Sequence, residues 1–135
     1  MIKHDIVIIG GGPAGMASAV AAYDNGARDV VIIDREEKLG GILKQCIHNG
    51  FGLHKLGKEL TGPEYAAHYE KAVADRGIKV FYETMVTDIS QDRTVTAQNS
   101  EGILKINAKA VVLAMGCRER SRGALNIPGT RPAGV

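Results

Sequence analysis

Unbroken apolar runs mark the first part of the chain. Residues 4–9 end in Ile6-Val7-Ile8-Ile9 without polar alternation, which predicts a strand buried on both faces. Glycines then interrupt the run, and an alanine-rich stretch opens at Pro13, a residue that suits a first helical turn. This stretch predicts a helix to about Asn25, with Gly26 as its stop. Residues 29–33, Asp-Val-Val-Ile-Ile, predict a second buried strand that ends at Asp34. Together they form a β-α-β unit of about thirty residues.

Thr61 and Glu64 have capping-box spacing and Pro63 fits a first turn, so a second helix starts near Thr61 and ends at Gly77. Tyr65, Tyr69, Ala72, Val73 and Arg76 share one mostly apolar face of it. Residues 78–82 predict a third strand. Residues 85–89, 94–98 and 103–106 predict three short antiparallel strands, with turns at 90–93 and 99–102. Residues 110–114 predict a further buried parallel strand, and the remainder, with Pro128, Gly129, Pro132 and Gly134, a loop. No assignment follows for residues 44–57. The fold class is α/β: a Rossmann-like parallel sheet with helices and a small three-stranded antiparallel β-meander.

Composition narrows the function. The chain has 135 residues, enough for one domain with a core. Its net charge is +2, with lysine and arginine scattered, which leaves no electrostatic footprint for nucleic acid. Aromatic residues, at 4%, are too sparse for a base-stacking platform. Cys46 and Cys117 lie far apart, with neither Cys-x-x-Cys nor zinc spacing, so no metal site is expected and the thiols fit a cytoplasmic protein. Residues 6–23 carry no charge, but Pro13 and the glycines break any apolar helix there, which argues against a membrane span.

The segment Gly10-Gly11-Gly12-Pro13-Ala14-Gly15 carries the clearest chemistry. Gly10 allows a tight turn out of the strand, Gly12 leaves room for a pyrophosphate against the backbone, and Gly15 lets helix and strand approach. The helix N-terminus offers N–H groups and a positive dipole end to phosphate. Asp34 stands nineteen residues after Gly15, where a carboxylate accepts from ribose hydroxyls and disfavours a 2′-phosphate. A solvent-exposed strand-end aspartate is the plainer alternative, and the adjacent Arg35 weakens the discrimination against NADP. About forty-five residues separate Asp34 from the third strand, and Gly40-Gly41 opens that insertion. The glycine pair and the meander favour FAD over NAD.

The ordered set of the glycine loop, Asp34, Gly40-Gly41-Ile42-Leu43, the meander, Ala114-Met115-Gly116 and Ile127-Pro128-Gly129 resembles the FAD/NAD(P)-dependent oxidoreductases with two dinucleotide-binding domains, which include glutathione and thioredoxin reductases. Residues 40–64 and 116–120 resemble a narrower branch. It includes bacterial oxidoreductases of glycerol 3-phosphate metabolism and the flavoprotein subunits of amine- and opine-oxidising enzymes. The resemblance implies that Gly10, Gly12, Pro13, Ala14 and Gly15 wrap the FAD pyrophosphate and that Asp34, with Arg35 beside it, holds the adenosine ribose. It places Gly40, Gly41 and Ile42 near the pyrophosphate and flavin side, and Val86 against adenine. Ala114 and Gly116 match an Ala-Thr-Gly strand end, with Met115 in place of the threonine.

The chain also departs from the reductases. A disulfide reductase needs a cysteine pair beside the flavin, and Cys46 stands alone after the glycine pair. Packing or solvent exposure is the plain reading for His48 and His54, and a solvated loop for Arg118, Arg120 and Arg122. No catalytic residue is assigned. With no second glycine fingerprint, the expectation is the N-terminal part of a FAD-binding domain, a fragment of a longer enzyme. The expected cofactors are FAD and, in the complete enzyme, NAD(P). The expected partners are a small-molecule substrate and either a redox subunit or a second copy of the chain. An NAD-binding dehydrogenase domain and a non-catalytic dinucleotide-binding or subunit-interaction module stand as alternatives.

Overall fold

The structure, a computed structural model, describes residues 2–117, 120, 122–126 and 128–129. The order is β1 (Ile2–Ile9), α1 (Pro13–Asp24), β2 (Val30–Ile33), a 3-10 turn (Gly41–Gln45), β3 (Asn49–Phe51), α2 (Leu53–Leu56), β4 (Leu60–Thr61), α3 (Gly62–Asp75), β5 (Lys79–Phe81), β6 (Met85–Ile89), β7 (Thr94–Asn99), β8 (Gly102–Leu113) and a one-turn helix, α4 (Arg122–Leu125). Arg118, Glu119, Ile127, Pro132 and Gly134, all used in the sequence reading, lie outside the described residues.

Six strands make one mixed sheet in the order β5-β2-β1-β8-β7-β6. β5, β2, β1 and the end of β8 run parallel, whereas β8, β7 and β6 form the antiparallel meander. The apolar runs do not alternate because both faces are covered. From β1 and β2, Ile8, Val30 and Ile32 pack under the helices with Met16, Ala19, Tyr69 and Val73. Val7, Ile9, Val31 and Ile33 point the other way, onto Val95, Ile106 and Ala108 of the meander. All of these side chains are buried.

The last two predicted strands, 103–106 and 110–114, are a single strand, which corrects the sequence reading. β8 is antiparallel to β7 from Gly102 to Asn107 and parallel to β1 from Ile106 to Leu113. Asn107-Ala108-Lys109 looks like a polar break, yet it contains no glycine or proline to end a strand. Instead the inward face changes parity there. Ile106 and Ala108 face the meander-side cluster before it, and Val111 faces the same cluster after it. Lys109 lies at the change and pairs with Asp5 of β1 at 2.7 Å.

α3 begins at the predicted capping box. The Thr61 N–H donates to Glu64 Oε2 at 2.8 Å, and the Thr61 hydroxyl accepts from the Glu64 N–H. Arg76, at the other end of α3, donates to both carboxylate oxygens of Asp24 at 2.7 and 2.8 Å, joining the C-terminal ends of α3 and α1. The unassigned stretch holds the 3-10 turn, the one-turn α2, and the antiparallel pair β3–β4, which forms a second, two-stranded sheet.

Candidate dinucleotide-binding site

The candidate residues meet at the carboxyl ends of β1, β2 and β8. Strand order reverses here: β2 lies on one side of β1 and β8 on the other. Crevices at such a reversal are where open α/β sheets bind ligands. Gly10 takes φ +106°, and a Cβ there would lie 2.2 Å from the Ala114 carbonyl oxygen. Ala114 is held in turn by its N–H, which donates to the Ile9 carbonyl at 2.8 Å. A Cβ on Gly15 would lie 1.8 Å from the Gly10 carbonyl oxygen, so helix and strand are as close as that residue permits.

Gly12 differs from both. It has φ −73°, ordinary for any residue, and a Cβ built on it meets nothing within 4 Å. Neither backbone conformation nor packing within the described residues requires glycine there. The open space lies at the start of α1, where Gly12 is the N-cap without a side-chain cap, Pro13 opens the first turn, and that turn holds no acidic residue. Ala14 is exposed beside it. N–H groups at a helix start with room for a ligand suit a phosphate, so the space at Gly12 fits a dinucleotide pyrophosphate.

Gly40 and Gly41 approach the loop itself. The Gly40 N–H donates to the Gly11 carbonyl at 2.8 Å, and a Cβ on Gly41 would lie 3.2 Å from the Gly12 Cα. Ile42 follows, 62% exposed at the rim. Asp34 is buried beneath the loop. Its carboxylate accepts from the Gly11 N–H at 2.5 Å and from the Glu36 N–H at 2.8 Å. Its own N–H donates to the Phe81 carbonyl and its carbonyl accepts from the Thr84 N–H, each at 2.9 Å. The second bond brings the start of β6 alongside, so half-buried Val86 lies two residues from a bond to Asp34.

Two candidates stand apart from the loop. Arg35 is exposed, and its guanidinium faces Glu36 at 3.3 Å. Gly116 is exposed beyond the end of β8. Cys46 is half-buried, and its carbonyl accepts from the Gly62 N–H at 2.9 Å. His48 bonds the Asn49 carbonyl at 2.9 Å and lies against Phe51, and His54 is exposed on α2. Sequence reasoning missed Gly11, Leu39 and Thr84. Gly11 occupies the variable second position of the glycine pattern, yet a Cβ there would lie 2.3 Å from Leu39 Cδ2 and 2.8 Å from Asp34 Oδ2. The signal was a third consecutive glycine where the pattern asks for none. Buried Thr84 had no comparable signal.

A glycine loop between first strand and first helix, an acidic end to the second strand and a strand reversal define a dinucleotide-binding α/β domain. Residues 4–134 match the pyridine nucleotide-disulphide oxidoreductase family, to which the chain belongs. Members of this family bind FAD and NAD(P), and this chain is an FAD-binding domain of flavin-dependent oxidoreductase type. One of the opine oxidase subunits of Agrobacterium tumefaciens is 33% identical over 98% of this chain and 27% of its own length. The HcnB subunit of hydrogen cyanide synthase from Pseudomonas protegens is 30% identical over 96% of this chain and 27% of its own. Thioredoxin reductase from Streptococcus pyogenes superposes with a TM-score of 0.71 at 25% identity, over 88% of this chain and 37% of that one. The chain thus spans about a quarter of the length of these curated relatives. Among the described residues, no helix is long and apolar enough to cross a membrane.

Proposed function

We propose that this domain holds FAD with its pyrophosphate against Gly12, Pro13, Ala14 and Gly15. In this reading Gly10 and Ala114 shape the floor, and Gly40, Gly41 and Ile42 form the side toward the flavin. Asp34 and Val86 lie toward adenosine, with Arg35 and Gly116 at the periphery. The observation that carries the reading is Gly12, a glycine with ordinary dihedrals and open space where a side chain would stand. Bound FAD supplies the electron-accepting chemistry, while the chain supplies position and burial. Electrons pass between FAD and either NAD(P)H or a small reduced substrate, amine-like or glycerol 3-phosphate. Relatives named as opine oxidase and sarcosine oxidase subunits favour the amine-like class. These two relatives and the hydrogen cyanide synthase relative are each named as one subunit of a larger enzyme, which supports a partner redox subunit. The same reading sets the protein in the cytoplasm.

FAD titration of the protein, followed by flavin fluorescence, tests it. Saturable FAD binding that Gly12→Val abolishes, with unfolding free energy within about 2 kcal/mol of wild type, supports the reading; loss of a favourable N-cap residue costs about 0.5–2 kcal/mol. NAD binding without a response to FAD would favour the dehydrogenase alternative. Retained FAD affinity in Gly12→Val would remove the glycine loop from the site.

A further inference from the structure

Three residues, Tyr82-Glu83-Thr84, join β5 to β6, although the sheet order sets these strands at opposite ends. In a flat sheet the outer two of six strands would stand about 24 Å apart. The chain from Phe81 to Met85 reaches at most about 14 Å. The sheet must therefore curl until the meander lies over the parallel strands, and these three residues close the curl. They are pinned to the continuation of β2. The Asp34 N–H donates to the Phe81 carbonyl at 2.9 Å, the Glu83 N–H to the Glu36 carbonyl at 3.1 Å, and the Thr84 N–H to the Asp34 carbonyl at 2.9 Å. Among these bonds Glu83 takes φ +47°, a left-handed conformation that a residue with a side chain keeps only where its surroundings hold it. Thr84 supplies the hold. It is 1% exposed, and its hydroxyl donates to the Tyr82 carbonyl at 2.7 Å, closing a ring across Glu83.

We propose that Thr84 is a positioning residue for the adenine end of the site: its buried hydroxyl keeps Glu83 left-handed and so sets where Met85 and Val86 stand relative to Asp34. The proposal rests on the dinucleotide reading of the site. It leaves the Asp34 carboxylate its place toward the ribose, since Phe81 and Thr84 bond only the Asp34 backbone. Without the hydroxyl, Glu83 relaxes to a negative φ, and the N–H groups of residues 83 and 84 turn away from β2. The glycine loop and Gly40-Gly41 build the pyrophosphate end, whereas the crossover is tied to Asp34 and Glu36. Loss of the hydroxyl therefore reaches the base and spares the phosphates.

Thr84→Val, which keeps the shape and removes the donor, tests this in two arms. Without nucleotide, the amide protons of residues 83 and 84 should exchange about tenfold faster in the variant, relative to those of Val7 and Ile9, for the loss of one hydrogen bond. Unchanged relative exchange overturns the proposal. In the second arm, ADP and ribose 5-diphosphate, the same ligand without its base, are titrated calorimetrically into the full chain. Thr84→Val should weaken ADP about tenfold and leave ribose 5-diphosphate within about twofold. An equal loss of both ligands, or an unchanged ADP affinity, overturns the proposal. Thr84→Ser keeps the hydroxyl and should bind ADP as wild type does; a loss matching that of Thr84→Val overturns it. Glu83→Gly added to Thr84→Val should restore ADP affinity, because glycine takes the left-handed conformation unaided. No recovery there overturns it as well. Should Thr84→Val alone fail to fold, the double variant decides: near wild-type ADP affinity supports the proposal, and failure to fold or to bind overturns it. If wild type binds neither ADP nor FAD, the dinucleotide reading fails and the adenine role falls with it. If wild type binds ADP and Thr84→Val matches it, only the role of Thr84 is lost.

Discussion

The loop at residues 10–15 and the insertion at residues 40–62 are both rich in glycine, but they use it differently. In the loop, a Cβ on Gly10, Gly11 or Gly15 would come within 2.3 Å of another atom, and only Gly12 faces open space. In the insertion, Gly50 and Gly57 have left-handed dihedrals with nothing within 4 Å, so they turn the chain without being packed. The tightest there is Gly62, where a Cβ would lie 2.4 Å from the Leu43 carbonyl oxygen and 2.5 Å from that of Cys46, while the nearest atoms to a Cβ on Gly40, Gly41 and Gly52 would lie 2.6, 3.2 and 3.0 Å away. One region is a packed support with a single opening. The other is a set of turns fastened at few points, and Ile47 and Leu53 remain 81% and 57% exposed on it.

This contrast breaks most sharply at Gly15. Gly15→Val should destabilise the fold by about 4 kcal/mol or more, because the clash is with backbone and helix and strand must part. Urea unfolding measures it, and a cost below about 1 kcal/mol would contradict the close approach described. The insertion offers a paired comparison. Gly62→Ala is expected to cost about 2–3 kcal/mol by crowding two carbonyls. Gly57→Ala should cost only about 1 kcal/mol, the penalty of a left-handed alanine in open space. Equal costs at the two positions would mean that the insertion is not fastened at Gly62.

The smallest effect concerns pH. The Thr61 backbone N–H, and then its hydroxyl, hold the Glu64 carboxyl below its ordinary value of 4.5. A lowered folded-state value means that this contribution is complete above the unfolded pKa and is lost as pH falls through the folded one. Wild type should therefore lose more stability than Glu64→Gln on acidification from pH 7 to about pH 3. Urea midpoints at the two pH values check it, and parallel losses in both proteins would show that the capping box carries no pH dependence. Asp24, held low by the Arg76 guanidinium, acts in the same direction in both proteins and drops out of the comparison.

Much of the packed region was legible in the sequence. Unbroken apolar runs gave β1 and β2, and the Thr61–Glu64 spacing gave the start of α3, because those signals are local and strong. Gly10, Gly12, Gly15 and Asp34 were legible as a set because their spacing is that of one β-α-β unit. The roles of Gly11 and Thr84 were not, since each depends on a backbone group brought near by a distant segment. The unity of β8 was hidden for a similar reason. Asn107 and Lys109 read as a break, whereas pairing with β1 on one side and β7 on the other carries the strand through them. Residues 44–57 gave no period because their elements span four or five residues at most.

β8 has a consequence for how the domain comes apart. One strand serves as the last rung of the meander and as a wall of the nucleotide crevice, ending where Ala114 meets Gly10. The meander therefore cannot melt as an appendage. Stripping β7 from β8 uncovers Val95 and Ile106, which pack against Val7, Ile9, Val31 and Ile33 behind the crevice. Amide protons along β6, β7 and β1 should then exchange through one shared opening, with the strand acting as a common spine for two architectures.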